Sequence, residues 1–151
     1  KAWGMAGLRL GMAFAHPEII TTLNKIKPPY NINTLTQQKA LEALAAVEKK
    51  DEMVATILAN RVELTAGLAE VEIVEKVFAT DANFVLARVD DAPKRYKQLI
   101  EKQVIVRNRS KVTLCDNCLR ITVGTLEEQG QFIDALKSLS ELDSTPSSIS
   151  S

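Results

Sequence analysis

Lys1 opens a stretch in which a run of small residues and then one arginine follow: Lys1-Ala-Trp-Gly4-Met-Ala6-Gly7-Leu-Arg9-Leu-Gly11. A lysine amine can hold a carbonyl compound covalently, and a ring held that way packs against the neighbouring backbone, which must then be built from small residues. Gly4, Ala6 and Gly7 supply such clearance, and Arg9 offers a planar, permanently charged fork suited to a phosphate. The same composition also serves an ordinary close-packed turn, and the segment read alone leaves both open. Three more arginines stand on apolar runs at the far end of the chain. Arg107 follows Val104-Ile-Val106, Arg109 lies two positions on, and Arg120 is embedded in Leu119-Arg-Ile-Thr-Val123. Period-two geometry puts Arg107 and Arg109 on one face if their strand continues. Arg120 is either exposed on a strand face or held against an anion, and Arg107 and Arg109 read on pattern alone as solvated strand-end charges.

Other chemistry is thin. Cys115 and Cys118 form a single C-x-x-C, and the only histidine, His16, lies nearly a hundred positions away beside Pro17. One cysteine pair without a second pair or nearby histidines is poor material for a zinc site, so no metal is expected. The two cysteines read as reduced thiols with Cys118 pointing into the core, and His16 as a surface turn residue.

The bounds agree with a small-molecule function. The chain has 151 residues, enough for one good core or a small domain plus part of another. Lys+Arg and Asp+Glu both number 19, so no charge excess points to nucleic acid or to an anionic membrane surface. No apolar run reaches the ~20 residues a membrane helix needs. A soluble, cytoplasmic protein with no nucleic-acid or membrane partner is expected.

The elements that must position these residues follow from periodicity. Residues 8–15 alternate apolar and small or polar and predict a strand. Pro17 opens a helix carrying Ile19, Ile20, Leu23 and Ile26, which Pro28-Pro29 ends. Thr36 is the expected N-cap of a second helix with Ala40, Leu41, Leu44 and Val47 on one stripe. A break at Lys49-Lys50-Asp51 leads into a third helix that buries Met53, Val54, Ile57, Leu58, Val62, Leu64 and Leu68. Extended segments are expected at 71–74, 77–78, 83–89, 104–106 and 119–123, with a helix from Pro93 between the third and fourth. Thr125 and Glu128 form a capping box for a last helix that turns Phe132, Ile133, Leu136 and Leu139 inward. Residues 143–151 have no apolar face and are expected to be disordered.

Taken together, three separated motifs resemble one family. Lys1-x-x-Gly4-x-x-Gly7-x-Arg9-x-Gly11 resembles the lysine segment of fold-type I pyridoxal-phosphate-dependent aminotransferases. Lys27-Pro-Pro-Tyr30-Asn-Ile-Asn-Thr34 is similar to the loop that follows that lysine in the histidinol-phosphate aminotransferases. Val106-Arg107-Asn-Arg109, then Cys118-Leu-Arg120-Ile-Thr-Val-Gly124-Thr125, resembles that family's C-terminal domain. The likeness spans nearly all of residues 1–139, in the expected order.

The resemblance implies an α/β fold: the C-terminal part of a fold-type I transferase, with the end of the large domain at 1–50 and the small domain at 51–142, before a tail at 143–151. It implies Lys1 as the catalytic, cofactor-bearing residue and Arg9 as a ligand of the pyridoxal 5'-phosphate phosphate. It implies Arg107 and Arg120 as contacts to the substrate's anionic end, Asn83 (with Phe84) near the substrate, and Tyr30 at a dimer interface, reaching the neighbouring subunit's site. The implied reaction is transamination of histidinol phosphate with 2-oxoglutarate or glutamate in histidine biosynthesis, by a homodimer with shared active sites. The family's ring-nitrogen carboxylate, stacking aromatic residue and further phosphate ligands lie upstream of the lysine, so this chain alone is expected to be inactive. Alternatives are a related aromatic aminotransferase, a threonine-phosphate decarboxylase, or a non-catalytic α/β interaction module.

Overall fold

Two units, Lys1–Val54 and Ala55–Ser151, divide the chain, and the computed structural model describes residues 3–144. In the first unit a 3-10 turn at Ala6–Leu8 ends on Arg9, whose φ of 56° is left-handed. Residues 9–16 then run without regular structure, in place of the expected strand at 8–15. A strand forms only where a second one takes up its N–H and C=O groups, and no strand lies alongside this segment among the described residues.

Helix α1, Pro17–Ile26, begins as the proline dictates, with His16 as the N-cap. Helix α2, Thr34–Leu44, is capped by Asn33, whose Oδ1 accepts from the Thr36 N–H at 2.8 Å. Thr36, expected as the cap, is instead buried in the first turn. Asparagine and threonine both cap well, and the backbone entering from the Pro28-Pro29 loop selects the earlier one. The following break falls at Ala45–Ala46, where Ala46 N donates to Ala43 O at 3.0 Å, and not at Lys49–Asp51. Lysine is a good helix former, so Lys49 and Lys50 simply continue helix α3, Val47–Ala69.

The second unit holds a four-stranded antiparallel sheet. Its strands are β1 (Val74–Val77), β2 (Phe84–Val89), β3 (Arg107–Asn108) and β4 (Cys118–Thr122), in the order β1-β2-β4-β3. Helices α4 (Ala92–Glu101) and α5 (Leu126–Ser144) complete it. Strand β2 alternates half-buried and buried residues, so Val85, Ala87 and Val89 face the core. Leu119 and Ile121 of β4, Leu64 and Leu68 of α3, Leu99 of α4, and Phe132, Leu136 and Leu139 of α5 fill it. Burying each of these side chains contributes about 1.5–3 kcal/mol. Helices α3 and α5 approach closely: a Cβ at Gly67 would stand 3.3 Å from Ile133 Cγ1.

Several strand boundaries differ from expectation. Val71 lies in a turn, its N–H bonded to Leu68 O at 3.2 Å, so β1 begins at Val74. Val104 N–H closes the end of α4 by donating to Leu99 O at 2.8 Å, which takes it out of any ladder and moves β3 to Arg107–Asn108. Strand β4 starts one residue early, at Cys118. The Thr125–Glu128 capping box forms as the pattern requires, with Thr125 N to Glu128 Oε2 at 2.8 Å and Glu128 N to Thr125 Oγ1 at 3.2 Å. Helix α5 continues through 143 and 144, the first two residues of the expected tail, and 145–151 lie outside the described residues.

Candidate anion-binding site

Strands β3 and β4 pair so that Arg107 stands directly opposite Arg120. Partners across an antiparallel pair share a face, and this is the face away from Leu119 and Ile121. The chain then turns: Ser110 N donates to Asn108 Oδ1 at 2.9 Å, Val112 N to Arg109 O at 2.8 Å, and Arg109 N to Cys118 O at 2.8 Å. A groove of about 670 Å³ results, lined by Arg107, Arg109, Lys111 and Arg120, with Tyr96 of α4 and Thr122 at its sides. None of these four cations has a carboxylate partner among the described residues.

Arg120 is the most constrained of them. Its guanidinium carbon lies 4.9 Å from the centre of the Phe84 ring, and its Nε is buried without a hydrogen-bond partner among the described residues. Burial, then the charge of Arg109, then that of Arg107, weakens its hold on its proton. Arginine stays protonated under such pressure, so the repulsion persists as a demand for a negative ligand.

The other expected site residues are spread out. Asn83 is exposed just before β2, its carbonyl accepting from Val123 N at 3.0 Å, and the preceding Ala82 carbonyl accepts from Arg61 Nη1 at 3.0 Å. Tyr30 is fully exposed in the first unit, with a left-handed φ of 55°. Arg9, in the same unit, is exposed with no carboxylate partner among the described residues, and Lys1 lies outside the described residues. Sequence reasoning paired Arg109 with Arg107 but gave it no part in a site, and it missed Lys111 and Tyr96. The alternation Arg107-Asn-Arg109-Ser-Lys111 was the available signal.

Both cysteines are free, and Cys118 is fully buried as expected, in register with Arg88 across the β2–β4 pair. Desolvation raises its thiol pKa, and the nearby Arg88 opposes that shift. Among the described residues no group of three or more His, Cys, Asp or Glu is arranged for a metal. His16 Nδ1 accepts from Glu18 N at 3.5 Å on the surface, at the start of α1.

The family model for aminotransferase class I and II matches residues 1–136, and the chain belongs to that family. It is 55% identical over 139 residues to the histidinol-phosphate aminotransferase of Flavobacterium johnsoniae, a match covering 92% of this chain and 40% of that protein. It is also 55% identical over 137 residues to the enzyme of the same name from Cytophaga hutchinsonii, covering 91% of this chain and 39% of the relative. The histidinol-phosphate aminotransferase structure from Clostridium acetobutylicum superposes with a TM-score of 0.87 at 25% identity, covering 94% of this chain and 44% of that one. The fold is therefore part of a fold-type I pyridoxal-phosphate-dependent transferase, and the chain spans about two fifths of the length of these relatives.

The family works with pyridoxal phosphate, and the first unit suits its phosphate end. The space a Cβ would occupy at Gly4, Gly7 or Gly11 is open to 4 Å, and Gly4 has a φ of 63° that only glycine adopts freely. A groove of about 520 Å³ runs between residues 3–12 and Ala40, Ala43 and Leu44, with Arg9 on its wall. A guanidinium with no carboxylate partner among the described residues, beside a glycine-rich backbone, has the donors a phosphate takes.

Proposed function

We propose that the chain supplies the cofactor lysine and the substrate-anion groove of a histidinol-phosphate aminotransferase, which exchanges an amino group between histidinol phosphate and 2-oxoglutarate. The observation carrying this reading is the groove in which Arg107 and Arg120 oppose each other with no acid among the described residues to neutralise them. Turnover is proposed for the full-length fold, of which this chain spans about two fifths; the chain alone is expected to be inactive.

Each residue has a role in that reading. Arg107 and Arg120 take the phosphate of histidinol phosphate, or the distal carboxylate of glutamate, through paired N–H donors. Phe84 holds the Arg120 guanidinium against its ring face and keeps it aimed. Asn83, just before β2, contacts the substrate. Arg9 holds the cofactor phosphate and the Lys1 side chain holds its aldehyde carbon. Once freed, the Lys1 amine would take the proton from the donor's amine-bearing carbon in one half-reaction and deliver a proton to the acceptor's carbonyl carbon in the other. The cofactor ring, when bound, supplies the electron sink for that proton transfer. We infer a cytoplasmic homodimer in which Tyr30 reaches the neighbouring subunit's site.

The test is titration of this chain with histidinol phosphate, followed by backbone amide NMR. Shifts are expected at Arg107–Lys111 and Arg120–Thr122, with little response to histidinol. Arg120→Gln removes a charged hydrogen-bond donor worth about 1.5–3 kcal/mol and should weaken binding at least tenfold. In parallel, borohydride reduction after adding pyridoxal phosphate should mark the Lys1 side chain by peptide mapping. An unresponsive groove together with an adduct scattered over surface lysines would defeat the reading. Binding of threonine phosphate in preference to histidinol phosphate would move it to the decarboxylase branch of the same fold.

A further inference from the structure

We propose that Arg109 makes this groove selective for a doubly charged phosphate over a singly charged carboxylate. The inference rests on the reading of Arg107 and Arg120 as substrate-anion contacts and assigns the discrimination between the two substrates to a third residue.

Two opposed arginines are sufficient for a carboxylate, whose two oxygens can each take a donor pair. The groove holds more charge than that, because Arg109 and Lys111 also line it with no acid against them among the described residues. The two added cations are not equivalent. Arg109 is half-buried and fixed by its backbone on both sides, its N–H donating to Cys118 O at 2.8 Å and its carbonyl accepting from Val112 N at 2.8 Å. The Asn108 side chain braces the same turn through Ser110 N at 2.9 Å. Lys111 is exposed, on a flexible stem. Arg109 also presses on the Arg120 charge more than Arg107 does, although Arg107 is the register partner. Both arginines line the groove with Arg120.

The consequence follows from Coulomb's law. A fixed cation attracts a dianion with twice the energy it gives a monoanion at the same place, so the fold-changes on its removal are related as a square. If Arg109→Gln weakens phosphate binding about tenfold, a value typical of a half-buried charge contact, carboxylate binding should weaken about threefold. The phosphate gains its second charge near pH 6, so the preference should rise between pH 5 and pH 7.5 in the wild type and rise less in the variant.

The experiment measures NMR affinities of the full chain for histidinol phosphate and glutamate, and for inorganic phosphate and acetate, at both pH values. Wild type, Arg109→Gln and Lys111→Gln are compared, and amide spectra confirm that each is folded. The expected result is a selective loss in Arg109→Gln, about tenfold against about threefold, a flattened pH dependence, and changes under twofold in Lys111→Gln. Equal losses for both ligand classes, no loss in Arg109→Gln, or the same loss in both variants would overturn the proposal, as would a wild type that binds no phosphate at all. A wild type that ignores histidinol phosphate but binds inorganic phosphate, with the selectivity lost in Arg109→Gln, would sink the substrate reading and leave this inference standing.

Discussion

Arg95 is the most deeply buried charge among the described residues of the second unit, and its carboxylate partner Asp90 helps hold helix α4. Its side chain is 1% exposed, while that of Asp90 is 41% exposed. Arg95 Nε donates to Asp90 Oδ1 at 2.9 Å, Nη2 donates to Oδ2, and Nη1 donates to Gln98 Oε1 at 3.1 Å. Asp90→Ala removes the two carboxylate acceptors from the guanidinium, while its contact with Gln98 remains. Breaking a fully buried pair costs about 3–5 kcal/mol; the half-exposed carboxylate and the retained Gln98 contact reduce this to about 2–3 kcal/mol here. The Arg95 guanidinium also holds the Asp90 carboxyl below its ordinary value of 3.8. A depressed carboxylate contributes stability above the unfolded-state pKa and loses it as pH falls through the folded-state value. The gap between wild type and Asp90→Ala in urea unfolding, read by far-UV circular dichroism, should therefore be full at pH 7 and should close as the pH is taken below about 4. Asp90→Ala with Arg95→Met should recover at least half of the loss, because the buried charge is gone as well. A loss under about 0.5 kcal/mol at pH 7, or a gap indifferent to acid, would refute the reasoning. Tyr96 of the same helix lines the anion groove, so the clamp bears on the site as well as on the core.

Gln103 takes a left-handed φ of 62° one residue past the C-cap of α4, where Gln103 N to Ile100 O and Val104 N to Leu99 O, both 2.8 Å, make the paired bonds of a Schellman ending. Gln103→Gly should stabilise the chain by about 0.5–1 kcal/mol in urea unfolding, and a loss would contradict this account. Thr125→Ala removes one side of the capping box of α5 and should cost about 1 kcal/mol by the same measurement, with amide exchange faster in the first turn of α5. Phe84→Leu keeps the strand apolar but removes the ring face under Arg120. Histidinol phosphate affinity should fall about threefold, with stability changed by less than about 1.5 kcal/mol; unchanged affinity would show that Arg120 is aimed without the ring.

What was legible in the residues, and what was not, divides along one physical line. The alternation in residues 84–89, Pro17 and Pro93 at helix starts, and the Thr125–Glu128 box are local patterns, and the local structure follows them. The break at Ala45–Ala46 carries no breaking residue at all, since alanine is the best helix former, and the charged Lys49–Asp51 stretch drew attention to the wrong place. Residues 8–15 carry a strand's alternation without a strand beside them, and a period alone cannot supply the partner that a ladder needs. The anion groove sits on the same line. The types and spacing of Arg107 and Arg120 are readable as anion chemistry, and period two assigns each to a face. Which faces meet is a matter of register: Arg107 opposes Arg120, and Phe84 opposes Thr122, only because β4 pairs with β3 on one edge and β2 on the other. A one-residue slip of β4 would turn Arg120 into the core and Leu119 out, and the chain resists that slip by burying Leu119 and Ile121. The same apolar pair that closes the core therefore aims the arginine, which is why a site made of surface charge is held as firmly as the sheet beneath it.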